Sequence, residues 1–497
     1  MKIALIFPNY FRKNFFFVPG AFHLPLGLSM IAAVLRNAQH EVQVIDATAE
    51  RLNIRMIEKR IYKFQPDVIG MTTNVAFARK SMMTAKWLKS KFKKVPIILG
   101  GPHATVEYET LLHEGCCDVV VVGEGERTIL DLIDAIEKKK NYREVKGIAF
   151  FDASSNKIKL TDPQQSIENL DELPYPAWDL FPSPRKYFFA TRGSRFFPVM
   201  TSRGCPYGCI NCTKNIHGYK LRYRSVQNII GEIKYLHDKF GMNEIFIVDD
   251  NFNYNVARAE EICDEIGKLD FKFLIKFTNG LRADKITPRL AWKLKQAGTY
   301  EIALGIESGN QEIVDKIGKK LDLHAVTRAI SILKKLQIRV DGFFMTGLPY
   351  ETVHTFVETK KFVLNSGLDF VNFFKVVPFK GTKLYDIILE NGKIIDLNPV
   401  ETNFFSFQAP MFELKNLPAE LVELALFDLY RSFFFRRQTI AFLITHFKPN
   451  FWRWYVNFGI QMIMNVFLSR KQDYGHLKET VLKKLSDKNK AKYIDEK

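Results

Sequence analysis

Short apolar runs alternate with stretches of helical period along the first 145 residues. Continuous apolar runs predict strands over 3–7, 42–46, 68–72, 97–100 and 119–122. Between them, apolar positions recur at helical spacing, for example over 28–37, 78–92 and 128–138. This alternation predicts an α/β, Rossmann-like, doubly wound parallel sheet whose ligand lies beyond the carboxyl ends of its strands. Turn-forming residues gather at those ends: Pro8-Asn9, Thr72-Thr73-Asn74, Gly100-Gly101-Pro102-His103 and Gly123-Glu124-Gly125-Glu126. Glycine lets a ligand approach the backbone closely, although any one of these turns also reads as a plain strand end.

A second alternation begins near residue 196, with strands expected over 197–201, 244–248, 272–277, 300–304, 340–346 and 370–376. Six strand–helix units predict an open, partial (β/α)6 version of the eight-unit barrel, with its site at the strand carboxyl ends. The expected organisation is a Rossmann-like domain over 1–145, a connector over 146–190, a barrel over 191–410, a helical region over 411–472 and a Lys-rich tail over 473–497. The connector holds a predicted hairpin over 147–160 and a stiff, proline-rich run over 173–182.

At 497 residues the chain is too long for one core, and 47% hydrophobic with 25% charged residues is an ordinary globular balance. The net charge of +18 fits nucleic acid, an anionic membrane surface or an anionic substrate. Six cysteines are too few for a disulfide scaffold. The uncharged stretch over 14–35 is broken by Pro19, Gly20, Pro25 and Gly27, so it reads as a loop and a buried helix rather than a span or a signal peptide. Cys116, Cys117 and Cys263 read as core residues.

Chemistry is concentrated in Cys205-Pro-Tyr207-Gly-Cys209-Ile-Asn-Cys212, just after the first expected barrel strand. Three thiolates on one loop can converge on a metal centre. They are one short of a closed zinc site, which a histidine such as His217 would complete. Alternatively they leave one iron of a 4Fe-4S cluster open to a reactant.

With this motif in this setting the chain resembles radical S-adenosylmethionine enzymes, in the branch with an N-terminal cobalamin-binding domain. The resemblance covers residues 1 to about 410. It implies that Cys205, Cys209 and Cys212 hold a 4Fe-4S cluster whose open iron is chelated by S-adenosylmethionine. The residue before the third cysteine is often aromatic in the family and is Asn211 here. The resemblance places Tyr207, Asp249, Asp250, Asn251, Asn279, Arg282, Glu307, Ser308 and Gly347 at the S-adenosylmethionine site. Arg282 would pair with a carboxylate of the ligand or, alternatively, with a nearby acid. Asn9, Thr72, Thr73, Gly100, Gly101, His103, Gly123 and Glu124 are placed at the cobalamin site. The chain has no Asp-x-His-x-x-Gly motif, so cobalt is expected to lack a histidine ligand, and His103 is expected to cap its turn or line the nucleotide-tail pocket.

The expected activity is generation of a 5′-deoxyadenosyl radical with cobalamin-dependent methylation of an unactivated carbon. A cyclase, an oxidoreductase or a lipid-modifying reaction on the same architecture is the alternative, and a non-enzymatic metal-binding module at a membrane or RNA is the other class. A small-molecule substrate and an electron donor such as flavodoxin or ferredoxin are expected, and the aromatic-rich, basic C-terminus leans the substrate towards a hydrophobic or lipid-like molecule. From Arg431 to Gln472 basic residues interleave with Phe, Trp and Tyr and no Asp or Glu occurs. That pattern, with Arg436, Arg437, Lys448 and Arg453, suits an anionic membrane surface, helices packed on the barrel or, third, contact with RNA. The expected location is cytoplasmic, peripheral at the inner face of the membrane, and nucleic acid is not an expected partner.

Overall fold

The computed structural model describes residues 1–10, 24–187, 191–395 and 411–445. These form two compact units, one of residues 1–10, 24–187, 191–206 and 213–244, the other of residues 207–212, 245–395 and 411–445.

The first unit opens with β1 (Lys2–Phe7), α1 (Leu26–Asn37), β2 (Glu41–Asp46), α2 (Ile54–Phe64), β3 (Val68–Thr72), α3 (Ala78–Lys91), β4 (Ile97–Gly100), α4 (Pro102–His113), β5 (Val119–Val121) and α5 (Gly125–Glu137). All five expected strands form, and they pair in parallel in the order β2-β1-β3-β4-β5. Their apolar runs are continuous because helices cover both faces. Ala4, Ile6, Ile45, Ile69, Ile97, Leu99 and Val120 are fully enclosed, and Cys116 and Cys117 pack into the same core.

The hairpin expected in the connector forms as β6 (Ile148–Asp152) and β7 (Lys157–Leu160), but it is part of this sheet. β6 pairs antiparallel with β5, so the sheet has seven strands and runs 15 residues past the expected boundary at 145. The first unit continues through β8 (Phe196–Val199), the short antiparallel pair β9 (Ser202–Arg203) and β10 (Arg222–Tyr223), and α6 (Val226–Phe240). Ser225 caps α6 through Asn228 N, and Gly241 ends it in the left-handed conformation.

The second unit is built on β11 (Glu244–Ile247), α7 (Val256–Gly267), β12 (Leu274–Leu281), α8 (Pro288–Gln296), β13 (Thr299–Glu307), α9 (Gln311–Lys316), α10 (Leu323–Lys335), β14 (Arg339–Thr346), α11 (Val353–Asn365), β15 (Phe370–Lys375) and α12 (Lys383–Asn391). Five of the six expected barrel strands share one sheet in this unit, in the order β15-β14-β13-β12-β11. Within it β12, β13, β14 and β15 pair in parallel, with register breaks at the carboxyl ends of β12 and β13. Among the described residues the unit closes with β16 (Gly392–Ile394), β17 (Phe412–Leu414), α13 (Ala419–Phe434) and α14 (Arg437–Thr445).

α13 buries Leu429, Phe433 and Phe434, and Tyr430 donates its hydroxyl to Phe373 O at 2.9 Å. Arg436 stacks over Phe433 at 3.8 Å and donates to Leu368 O at 2.8 Å. This part of the aromatic and basic region therefore packs on its own sheet, the second of the three arrangements open to it. Lys448, Arg453, Trp452, Trp454 and the tail lie outside the described residues, as does most of the 14–35 stretch ahead of α1. Among the described residues no helix is long and apolar enough to cross a membrane.

Candidate active site

In the first unit the strand carboxyl ends surround a cavity of about 280 Å³. Leu5, Met30, Ile31, Met71, Ile98, Val121 and Ile129 give it apolar walls, and Gly70, Gly100, Gly101, Gly123 and Gly125 let the backbone form part of the surface. Gly101, at φ 103°, is required there, because a Cβ would meet Thr73 O at 2.7 Å. Of the residues assigned to this site from the sequence, Thr72, Gly100, Gly101, Gly123 and Glu124 line the cavity. Asn9, Thr73 and His103 are not among the lining residues. Asn9 donates its side chain to Leu52 O at 2.7 Å, Thr73 is fully buried, and His103 sits in the first turn of α4 with its N–H on Thr73 O.

Four further lining residues come from the segment flanking the cysteines: Met200, Arg203, Ile216 and His217. The Glu124 carboxylate takes two hydrogen bonds from Arg222, at 2.6 and 2.9 Å, and lies 3.4 Å from Arg203. Glu126 lies 2.5 Å from Arg203. Burial pushes the Glu124 carboxyl up, but the His217 and Arg222 hydrogen bonds and the Arg203 charge outweigh it and hold it well below the usual range. His217 Nδ1 stands 2.9 Å from Glu124 Oε1, so its ring is engaged by a carboxylate rather than set out as a fourth metal ligand. Neither the Arg203–Glu126 pair nor Arg222 was legible in the sequence.

Cys205 ends the same flanking segment. Gly204, at φ 89°, leaves no room for a Cβ against Lys220 O, and Cys205 N donates to Gly218 O at 3.3 Å. None of the three cysteines of the motif is in a disulfide: Cys205 is buried, Cys209 half-buried and Cys212 exposed. Among the described residues no three His, Cys, Asp or Glu side chains meet at one point as a single-ion site would need. Three thiolates on one loop are one short of a closed zinc site and are the donor set of a cluster with one open iron.

In the second unit Cys212 N bonds Cys209 O at 3.3 Å, and Ile210 is anchored by Ile317 O and Leu384 N. Gly318 packs directly on this loop, where a Cβ would stand 2.8 Å from Gly208 O. Tyr207 carries the Arg282 guanidinium at 3.7 Å from its ring centre. Arg282 spends its fork on Asp284, at 2.9 and 3.1 Å, and on the Lys319 and Lys320 carbonyls at 2.8 and 2.6 Å. That is the nearby-acid alternative, and it makes Arg282 the brace of the 318–320 loop.

Lys319 was not singled out from the sequence. Its Nζ is 2.7 Å from Glu307, the last residue of β13, which sits at φ 72° beside the register break. Burial pulls the Lys319 ammonium down, but the charges of Glu307 and Cys209 outweigh this and hold it above its ordinary range. A cation is thus kept beside the cysteine loop.

Asn211 donates to Met345 Sδ at 3.2 Å. Asn279 lies inside the irregular end of β12 rather than after it, and donates to Val248 O at 2.7 Å. Asp249 and Asn251 are buried just beyond β11, whereas Asp250 is exposed. Ser308 is fully buried and its hydroxyl pairs with Thr359 at 3.1 Å, so it fastens β13 to α11 instead of facing a ligand. Gly347 follows β14, and its N–H, with that of Leu348, donates to Glu351 Oε2 at 2.8 Å. Glu351 is another residue that sequence reasoning missed. At the end of β15 the buried Lys375 Nζ has no hydrogen-bond partner and lies 3.8 Å from Glu423; burial pulls its pKa down to about 8.

A family model described as the B12 binding domain matches residues 16–133, and one described as the Radical SAM superfamily matches residues 199–363. An uncharacterised methyltransferase of Pyrococcus horikoshii is 31% identical over 442 residues, 88% of this chain and 94% of that protein. The chain belongs to the radical S-adenosylmethionine superfamily, in its B12-binding branch. An anaerobic magnesium-protoporphyrin IX monomethyl ester cyclase of Rubrivivax gelatinosus is 25% identical to this radical S-adenosylmethionine enzyme over 455 residues, 90% of this chain and 79% of that one. A solved structure, the radical S-adenosylmethionine methyltransferase TsrM of Kitasatospora setae with cobalamin and a 4Fe-4S cluster bound, matches with a TM-score of 0.63 at 16% identity. The match covers 78% of this chain and 74% of that one, and it shows the fold.

The residues fit the cofactors of this superfamily. The glycine-lined cavity at the strand ends offers cobalamin an apolar cleft. The three cysteines of the CxxxCxxC loop, none of them in a disulfide, match a cluster with one open iron.

Proposed function

We propose that this radical S-adenosylmethionine enzyme transfers a methyl group to an unactivated carbon of a small molecule, with cobalamin as the methyl carrier. The observation that carries the reading is the shared wall of the cavity. Met200, Arg203, Ile216 and His217 flank the cluster cysteines in sequence and line the cavity that suits cobalamin. A chain that used the cluster alone would have no need to build these residues into the apolar cleft at the strand carboxyl ends.

When bound, the cluster and S-adenosylmethionine supply a one-electron cleavage that yields the 5′-deoxyadenosyl radical, and cobalamin supplies the methyl group. The chain's own residues bind, orient and shield. Cys205, Cys209 and Cys212 are proposed to hold the cluster, and Lys319 offsets negative charge on the cysteine loop. Asp249 and Asn251 stand where polar acceptors are wanted for an amino group, at the end of β11. Glu351 fixes the backbone turn at Gly347 and Leu348, the segment that resembles the family's adenine contact. Thr72, Gly100, Gly101 and Gly123 are proposed to take the cobalamin.

Anaerobic reconstitution tests the reading. The full chain should hold a 4Fe-4S cluster and about one cobalamin, and with reductant should convert S-adenosylmethionine to 5′-deoxyadenosine. Alanine at Cys205, Cys209 or Cys212 should remove the cluster absorbance and the cleavage together. Cleavage without cobalamin binding would refute cobalamin-dependent methyl transfer, whereas binding of both cofactors with cleavage but no methylated product would leave the cyclase, oxidoreductase or lipid-modifying alternative on the same architecture.

A further inference from the structure

Arg203 and Arg222 face each other across the antiparallel pair β9–β10, and both guanidiniums are almost fully buried. Opposite them lie Glu124 and Glu126, side chains 7% and 9% exposed, on the turn that follows β5. Two carboxylates against two guanidiniums make a closed, neutral set. Removing one member strands a buried charge, so the set holds together as a unit. The same set extends by hydrogen bonds into the flanking backbone. Arg222 donates to Ile167 O at 2.7 Å and to His217 O at 3.1 Å.

Two features give this cluster a use beyond stability. Glu124, Glu126, Arg203 and His217 all line the cavity, so a ligand there touches the set directly. Arg203 is separated from Cys205 only by Gly204, whose backbone packs tightly against the His217 and Lys220 carbonyls. The place of Cys205 therefore follows the β9–β10 pair, and the pair follows the Glu124 turn.

We propose that Glu124 is a positioning residue that couples the two cofactors. A cobalamin seated in the cavity fixes the Glu124 turn, and through Arg203 and Arg222 it fixes the backbone that presents Cys205 to the cluster. The inference rests on the cofactor reading above. Coupling of this kind is reciprocal: the cluster strengthens cobalamin binding by the factor with which cobalamin strengthens cluster binding.

The test uses the full chain, reconstituted anaerobically, with loss of visible cluster absorbance followed after addition of an iron chelator. Saturating hydroxocobalamin should slow the loss in the wild type by about fivefold or more, the lower end of measured site-to-site coupling. Cobalamin should also bind the cluster-loaded wild type more tightly than the cluster-free form. Glu124→Gln keeps shape and removes charge; it should retain both cofactors while the protection falls to within about twofold. Arg222→Lys, which keeps the charge and loses the two-pronged contact, should do the same and stands in if the first variant does not fold. Equal protection in wild type and both variants would overturn the proposal, as would a wild type that binds both cofactors with no protection. A wild type that takes up no cobalamin or no cluster would instead overturn the cofactor reading, and the inference with it.

Discussion

Glu351 is a buried carboxyl with no positively charged partner among the influences on it, and burial pushes its pKa up to about 8. At neutral pH it is mostly the neutral acid, and one oxygen takes the N–H groups of both Gly347 and Leu348 at 2.8 Å. Replacing it with Ala leaves two buried donors unmet, at roughly 1–3 kcal/mol each, so about 2–6 kcal/mol of stability should be lost. Replacing it with Gln presents the same acceptor oxygen without an ionisable proton. The unfolded carboxyl releases its proton near 4.5 and the folded one near 8. Between those values the folded chain holds a proton that the unfolded chain has lost, so this group's stability contribution falls as pH rises. The slope is about 1.4 kcal/mol per unit for a single group, and the fall ends once the folded carboxyl has ionised. Melting of the cofactor-free chain, followed by circular dichroism from pH 5 to pH 8.5, reads both effects. Glu351→Gln should gain steadily on the wild type across that range, and Glu351→Ala should lie below Glu351→Gln throughout. A Gln variant as damaged as the Ala variant, or a Gln-to-wild-type difference that does not change with pH, would refute the reasoning.

Arg282→Lys keeps one charge but loses the fork on Asp284 and the hold on the 318–320 loop; it should cost about 2–4 kcal/mol in melting and speed cluster loss to a chelator. His103→Ala should leave the visible spectrum of bound cobalamin unchanged, since His103 is not among the cavity-lining residues; a spectrum that shifts as on loss of an axial nitrogen would count against this. Gly101→Ala should weaken cobalamin binding measured by equilibrium dialysis, because a Cβ at that positive φ runs into Thr73 O. Arg436→Gln should lower the melting temperature by freeing the Leu368 carbonyl and uncovering Phe433, and should leave any binding to anionic vesicles unaltered.

The strands were legible because buried parallel strands are written as unbroken apolar runs, as in Ile3–Phe7 and Val119–Val121. The cysteine loop was legible because its ligands are close in sequence. What escaped were side chains whose role depends on partners distant in the chain. Glu124 pairs with Arg222 across 98 positions, and nothing near either residue announces it. Lys319 is one of two adjacent lysines, and only the fold brings it to Glu307 and the cysteine loop. Ser308 and Arg282 have ligand-binding chemistry, yet each is taken up by protein partners that local sequence does not name. The hairpin was found but assigned to a connector, because its two short strands carry too little apolar surface to declare which sheet they extend.

That hairpin decides how the chain can be cut. β5 is a three-residue run of valines, and β6 supplies its outer hydrogen bonds. A fragment ending at residue 145 would leave an apolar strand edge unpaired, a template on which other chains can add strands. In the whole protein the outermost strand is β7, where Lys157 and Lys159 alternate with Ile158 and Leu160, and their charges discourage such addition. Fragments that end beyond Leu160 should stay dispersed, whereas those cut near 145 should precipitate.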